Sequence, residues 1–508
     1  MLFFLLIGVI LIFLYFYGTK NHDYWKKKGI KHEKPYIFIG NSLQQYFENV
    51  SMSERFARLY WRFPGEKCVG TYNVRAPVLL LRDPEMIKHV LAADFKHFHY
   101  RGSVNHECSS EFLLKNLFDA DGDTWKVMRQ KLTPMFTSGK LKSMFPLIVQ
   151  RLDKLLSVAD VTIETRDEVD IRELMAKYTT DFIGACGFGL NFEALNSEDS
   201  DFRKLGRRIF TPTARDIIIG TLKELFPTLM RSFHYASPEI EKGTLSIVQQ
   251  IMAERNYKPS GRNDFIDMML ELKQLNKIVG ESIERRNPNG SPVMVELDPT
   301  DELLAAQVFV FFAAGFETSS HSSSFLLHLL AYNPEEQVKC QQEIDEVLKT
   351  YDGKICYDAL KDMKYLNRAL REAIRILPSP GFLMRRCVKT YTFPETDLTI
   401  DPKTEIIVSL KGLHHDPKYF EHPEQFRPYR FENENAQKYV YMPFGEGPRM
   451  CIGERLGLMQ SMSGAAAILH KYTLTPSKSS IPNPRIDPTS KIVENVIGGL
   501  PLALKRRV

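Results

Sequence analysis

The chain has 508 residues, 44% of them hydrophobic and 25% charged, which excludes a disordered or fibrous protein. Its formal net charge of +5 is spread along the chain and is too mild to argue for nucleic acid. Seven cysteines at irregular spacing argue against a disulfide framework and fit a reducing compartment. With 33 phenylalanines the chain can fill a large apolar interior, and no internal repeat or later linker divides it into several domains.

Met1 to Gly18 is apolar and uncharged. Eighteen helical residues span about 27 Å, near the thickness of a reticulum bilayer. The competing reading, a cleaved signal peptide, lacks a basic first region and a small-residue cleavage site. Lys20, Lys26, Lys27 and Lys28 follow at once and are expected to stay cytosolic, leaving the N-terminus lumenal. The expected division is an anchor over 1–18, a linker over 19–40 and one folded body over 41–508. Asn49-Val50-Ser51 is a formal glycosylation sequon, unused on the cytosolic side.

Val69–Val74 and Pro77–Leu81 read as strands joined at Arg75-Ala76. Arg101 to Asn116 has no readable period. Trp125 and Arg129, four apart, share one helix face; alone they read as an amphipathic Trp and a solvated Arg. Lys126, Lys131, Lys140 and Lys142 give the region a basic face, suited to water or to an acidic partner. Lys154 to Lys277 is mainly helical, and Asn276 to Asp298 reads as a polar surface loop.

Asp298-Pro299-Thr300-Asp301 starts a helix that runs to Asn333, where Pro334 stops it, a rod of about 50 Å. Its apolar middle suddenly carries Ala314, Gly315, Glu317 and Thr318. Taken alone, these are a tolerated Gly and a Thr bonded back one turn. Glu372 and Arg375 are three apart on another helix, and alone they are an ordinary ion pair. Lys403 to Leu410 reads as a strand. His414-His415, read as lying in a loop, lacks metal-ligand spacing. Val493 to Leu504 reads as a C-terminal hairpin turning at Gly498-Gly499.

Phe444 to Gly453, F-G-E-G-P-R-M-C-I-G, is a tight irregular loop that ends beside a helix over Glu454–His470. Cys451 therefore sits before a helix N-terminus, where backbone donors and the dipole favour a thiolate, a good iron ligand. A lone cysteine is more often inert and buried. Here Phe444, Gly445, Gly447, Arg449, Cys451 and Gly453 resemble, position by position, the haem-binding signature of the cytochrome P450 family.

The resemblance extends to A-G-F-E-T-S at Ala314–Ser319, to W-x-x-x-R at Trp125–Arg129, and to E-A-I-R at Glu372–Arg375 with Arg430 as third partner. At Tyr429 the family usually has Glu. The stretches Phe309–Phe312 and Leu132–Lys140 resemble insect microsomal enzymes of the detoxification group called family six. This likeness implies a mainly α protein with a small β-sheet lobe, the cytochrome P450 fold, preceded by one transmembrane helix. It implies haem b held by the Cys451 sulfur, with Phe444 near the ring and Ala314 and Gly315 against the haem. Trp125, Arg129, Arg385 and Arg449 would meet the propionates, with Arg386 as the alternative to Arg385.

Gly315 would let the helix open, and Glu317 and Thr318 would handle protons for dioxygen. The implied activity is a monooxygenase of the reticulum membrane acting on apolar small molecules, xenobiotic or endogenous. Its electrons would come from NADPH through a flavoprotein NADPH–cytochrome reductase, with cytochrome b5 as a further partner. The rival readings are a haem-thiolate isomerase or dehydratase, which needs no reductase, and a non-catalytic haem-binding protein.

Overall fold

A computed structural model describes residues 2–104, 111–189, 208, 213–262, 264–394, 396–432, 438–490 and 492–507. The unreadable stretch after Arg101 and the helical expectation over Lys154–Lys277 thus fall partly outside the described residues.

Buried side chains form two main cores. The larger is helical and is threaded by the Asp301–Tyr332 helix, about 48 Å long. Thr300 caps this helix, its hydroxyl accepting from the Leu303 N–H at 3.2 Å. By length and composition it could cross a membrane, but most of it is buried inside the fold, so it is a core helix. Its serines are accommodated locally: Ser320, Ser322, Ser323 and Ser324 donate to carbonyls within one turn. The Ile171–Ile183 helix and the Glu454–Lys471 helix pack against it.

The smaller core belongs to a four-stranded sheet. Cys68–Asn73 pairs antiparallel with Ala76–Leu81, the two strands read from the sequence, with the turn at Val74-Arg75 rather than Arg75-Ala76. Ala76–Leu81 pairs parallel with Glu405–Ser409, which pairs antiparallel with Phe382–Arg386. The segment expected as a linker lies against this sheet. Trp25 is fully buried, its indole donating to the Thr71 carbonyl at 3.0 Å. A Cβ at Gly70 would come within 2.4 Å of that ring, so only glycine admits it.

Three local expectations are corrected. The polar stretch 276–298 is a β-hairpin, Ile278–Arg286 with Pro292–Leu297. Its buried alternation, Ile278, Gly280 and Ser282, docks on the Gly122–Leu132 helix, where Asp123 accepts from the Ser282 hydroxyl and the Ile283 N–H. Charged residues on the other face mask that alternation in the sequence. At the C-terminus, Pro501–Arg506 pairs with Tyr472–Pro476 rather than within Val493–Leu504. His414 lies not in a loop but at the end of the Leu410–His414 helix, with its imidazole in the core.

Candidate functional site

The Phe444–Gly453 loop is shaped by backbone need. Gly445 and Gly447 hold φ of 75° and 74°, and a Cβ at Gly447 would collide with the Leu91 carbonyl at 1.9 Å. The Cys451 N–H donates to the Phe444 carbonyl at 2.8 Å, closing the loop, and Gly453 caps the Glu454–Lys471 helix. Cys451 keeps an exposed surface, yet burial is the first cause lifting its thiol above the ordinary value. The Gly453 N–H and the charges of Arg129 and Arg101 pull the other way without overcoming burial. Backbone donation to the sulfur thus acts in the expected direction, but burial outweighs it.

Ala314 is exposed and Thr318 half-buried, although the helix that carries them is otherwise mostly buried. Four apart, they share one face. The opposite side is packed shut: a Cβ at Gly315 would meet Ile183 Cδ1 at 2.4 Å, and the Thr179 hydroxyl donates to the Phe316 carbonyl at 3.0 Å. Gly315 thus serves close helix packing, and the helix is unbroken through it. The Thr318 hydroxyl is not free but donates to the Ala314 carbonyl at 2.6 Å. Glu317 does not join it: buried, it is paired with Arg172, whose other arm donates to the Ser320 hydroxyl at 2.6 Å.

The arginines converge. Arg449 is buried with its guanidinium 4.4 Å from the Trp125 ring. It donates to the His99 and Ala120 carbonyls, each at 2.7 Å, and to Asp121 at 2.9 Å. Its remaining Nη1 is buried without a partner. Arg385 donates to its neighbouring Met384 carbonyl at 2.7 Å, and its Nε is buried and unpaired. Burial, then the charges of Arg101 and Arg449, hold Arg385 well below its usual range. Burial, then Arg101, lowers Arg449 to about 9.

Arg129 donates to the Met450 carbonyl at 2.9 Å and shares a charge interaction with Cys451. Arg101, in the stretch without a readable period, completes the cluster; a single Arg there leaves no pattern to find. Arg386 points elsewhere, to Glu405 and the Gly102 carbonyl. Asp119 and Asp121 lie within charge range of Arg101 and Arg449, and Asp121 also of Arg385.

This donor set fits haem b on its own chemistry. It offers one exposed sulfur on a rigid loop and buried, unpaired guanidinium N–H groups for two carboxylates. It also offers an apolar helix face carrying one hydroxyl.

The comparisons agree with the geometry. The family model described as Cytochrome P450 matches residues 31–496. The chain is similar to Cytochrome P450 6B6 of Helicoverpa armigera, 38% identical over 493 residues, covering 95% of this chain and 94% of that one. It is also similar to Cytochrome P450 6B1 of Papilio polyxenes, 36% identical over 507 residues and 99% of each chain. Cytochrome P450 6a2 of Drosophila melanogaster is 33% identical over 516 residues, again 99% of each. With its cysteine loop, its arginine cluster and near-complete coverage by insect relatives, the chain belongs to the cytochrome P450 family, haem b-dependent monooxygenase oxidoreductases with a cysteine thiolate on the iron.

Proposed function

We propose that this enzyme inserts one atom of dioxygen into apolar small molecules, xenobiotic or endogenous, with NADPH electrons delivered by a flavoprotein reductase. The observation that carries this reading is the pairing of Cys451, exposed on its loop, with the Ala314–Thr318 face, which stays open on an otherwise mostly buried helix. When bound, haem supplies the iron at which dioxygen is reduced and split, with thiolate donation favouring that cleavage.

The chain's own residues do the rest. Cys451 is the ligand, and Phe444 orients it through the carbonyl that receives the Cys451 N–H. Arg101, Arg129, Arg385 and Arg449, with Trp125 beneath Arg449, hold the propionates. Ala314 presents its helix face to the haem, whereas Gly315, also expected there, packs behind that face against Ile183. Thr318 releases its hydroxyl from the Ala314 carbonyl to pass protons on, with Glu317 behind it held by Arg172. Phe311 stacks on Phe265 and Phe312 on Phe316, which keeps the packed side of the helix dry.

The same reading places the protein on the reticulum membrane. Leu2–Gly18 is a wholly apolar helix of about 26 Å whose side chains are almost all exposed. At its end Tyr17 stacks on Phe226, beside exposed Leu229 and Phe233. The lysines that follow favour a lumenal N-terminus and a cytosolic body. Cytochrome b5 is a second electron donor in this scheme.

The test is product formed per NADPH consumed, in vesicles with the flavoprotein reductase and a panel of apolar substrates. Thr318→Ala should keep haem and NADPH consumption but divert much of it to hydrogen peroxide. Cys451→Ala should lose the red-shifted carbon monoxide band and all turnover. Wild-type turnover without reductase would sink the monooxygenase reading in favour of an isomerase.

A further inference from the structure

On the packed side of the long helix, two hydroxyls from other helices reach its backbone beside Thr318. Thr179, on the Ile171–Ile183 helix, donates to the Phe316 carbonyl at 3.0 Å. Ser461, on the Glu454–Lys471 helix, donates to the Ser319 carbonyl at 3.3 Å. Both residues are buried, and the two carbonyls lie on either side of Thr318 in sequence. The Ala176 carbonyl of its own helix lies 3.2 Å from the Thr179 hydroxyl and competes for the same proton. That carbonyl already accepts from the Thr180 hydroxyl at 2.8 Å, and the bond to Phe316 is the shorter of the two open to Thr179. The Thr179 proton is therefore directed across to the long helix. The Thr179 carbonyl in turn accepts from Gln460 Nε2 at 3.4 Å, so the residue also touches the helix that follows Cys451.

The long helix does not need these bonds to be satisfied. Phe316 and Ser319 lie inside the unbroken Asp301–Tyr332 helix, where each carbonyl receives the N–H one turn on. A second donor draws such a carbonyl outward and loosens the in-helix bond, so it fixes position more than it adds stability. The Ala314 carbonyl is shared as well, between the backbone and the Thr318 hydroxyl. The turn that carries Thr318 thus has shared backbone bonds on both sides and depends on its neighbours for its place. Arg172, Thr179 and Ile183 stand at i, i+7 and i+11, on one face of their helix. Arg172 holds side chains and Ile183 fills space, while Thr179 bonds the backbone itself.

We propose that Thr179 is a positioning residue for proton delivery: through the Phe316 carbonyl it fixes the backbone turn from which Thr318 presents its hydroxyl, with Ser461 steadying the other side. The inference rests on the monooxygenase reading and on the part of Thr318 in it. When Thr318 lets go of the Ala314 carbonyl, a turn held from behind stays where it is. The release is then a side-chain rotation, and the hydroxyl arrives at one place. Without the Thr179 bond the backbone shifts along with it, and the proton is passed on less often before peroxide escapes.

The experiment uses the haem-loaded full chain in vesicles with the flavoprotein reductase and a substrate that the wild type oxidises. Thr179→Val keeps the shape of the side chain and removes the hydroxyl. It should retain the carbon monoxide band and KM but lower product per NADPH about 2–10-fold, the size that one hydrogen bond carries. Amide hydrogen exchange across residues 312–322 should quicken in the same variant, a readout independent of turnover. Thr179→Ser returns the hydroxyl and should recover both, and Ser461→Ala should show a weaker form of the defect. Adding Thr179→Val to Thr318→Ala should lower coupling no further, because Thr179 acts through Thr318. Wild-type coupling in Thr179→Val beside an uncoupled Thr318→Ala overturns this proposal alone, whereas wild-type coupling in Thr318→Ala removes the reading beneath it as well. Equal uncoupling by Thr179→Ser would assign the effect to the methyl group and overturn the proposal. Haem loss from Thr179→Val with full coupling in Ser461→Ala would make both hydroxyls structural and overturn it too.

Discussion

Arg375 and Arg385 flank the Pro378–Pro380 turn and are both buried, but their guanidiniums end in opposite conditions. Arg375 meets Glu372 through two bonds of 2.8 and 2.9 Å and donates to the His414 and Pro423 carbonyls at 2.8 Å. Glu372 also accepts from Arg430 at 3.1 Å and from the Arg427 N–H at 3.0 Å. Among the described residues Arg385 has its own neighbour's carbonyl, two repelling arginines and the charge of Asp121, and its Nε has no hydrogen-bond partner. Burial is the same; the difference lies in donors left over. A saturated cluster fixes geometry, whereas an under-saturated cationic one is shaped for an anion that comes from outside the chain.

The largest effect should come from breaking the saturated cluster. Glu372→Ala strands the buried Arg375 charge and should cost about 3–5 kcal/mol, read as loss of soluble, haem-containing protein. Full expression with normal unfolding would show that the carbonyls alone satisfy Arg375. In the other cluster, Arg449→Ala removes charge-assisted bonds worth roughly 1.5–3 kcal/mol each. Faster haem loss with an unchanged ligand band is expected, and unchanged haem occupancy would make Arg449 purely structural.

Arg385→Met sharpens the contrast, because it removes an unpaired buried charge and keeps the stem. Its haem-free form should unfold no earlier than wild type, while its haem dissociates faster. Destabilisation of the haem-free form would mean that Arg385 is already satisfied by protein.

A further contrast is the pH dependence around the saturated side. Burial, then neighbouring positive charges, lowers His321 and His414 to about 3, and burial, then Arg375, lowers His415 to about 4. The unfolded chain, with ordinary imidazoles, binds more protons between these values and about 6.5. Stability should therefore fall as pH drops below about 6.5 and stay flat above it for these groups. Urea midpoints at about pH 5 and pH 7 check this, and equal midpoints would mean that the imidazoles are not held neutral.

By itself the sequence determined whatever local backbone chemistry decides. The glycine spacing of Phe444–Gly453, the helix start at Asp298–Asp301 and the Pro334 stop specify a cysteine loop and a long core helix without further context, though only the structure shows Thr300 as the cap. Spacing by itself gave only an ordinary Glu372–Arg375 pair; Arg430 entered through the family resemblance, and the Tyr429 departure is harmless because that side chain is 56% exposed.

Tertiary structure alone decided which polar groups meet. Arg385 rather than Arg386 joins the cluster because strand alternation sends neighbours to opposite faces. Arg101, Arg172 and Asp121 carry no signature, since their partners lie far along the chain. The 278–297 hairpin and the pairing of Pro501–Arg506 with Tyr472–Pro476 likewise depend on surfaces that exist only once the helices are packed. Gly315 shows the limit most plainly: its residue type is evident, but only the Ile183 side chain against it says that closeness is what the glycine provides.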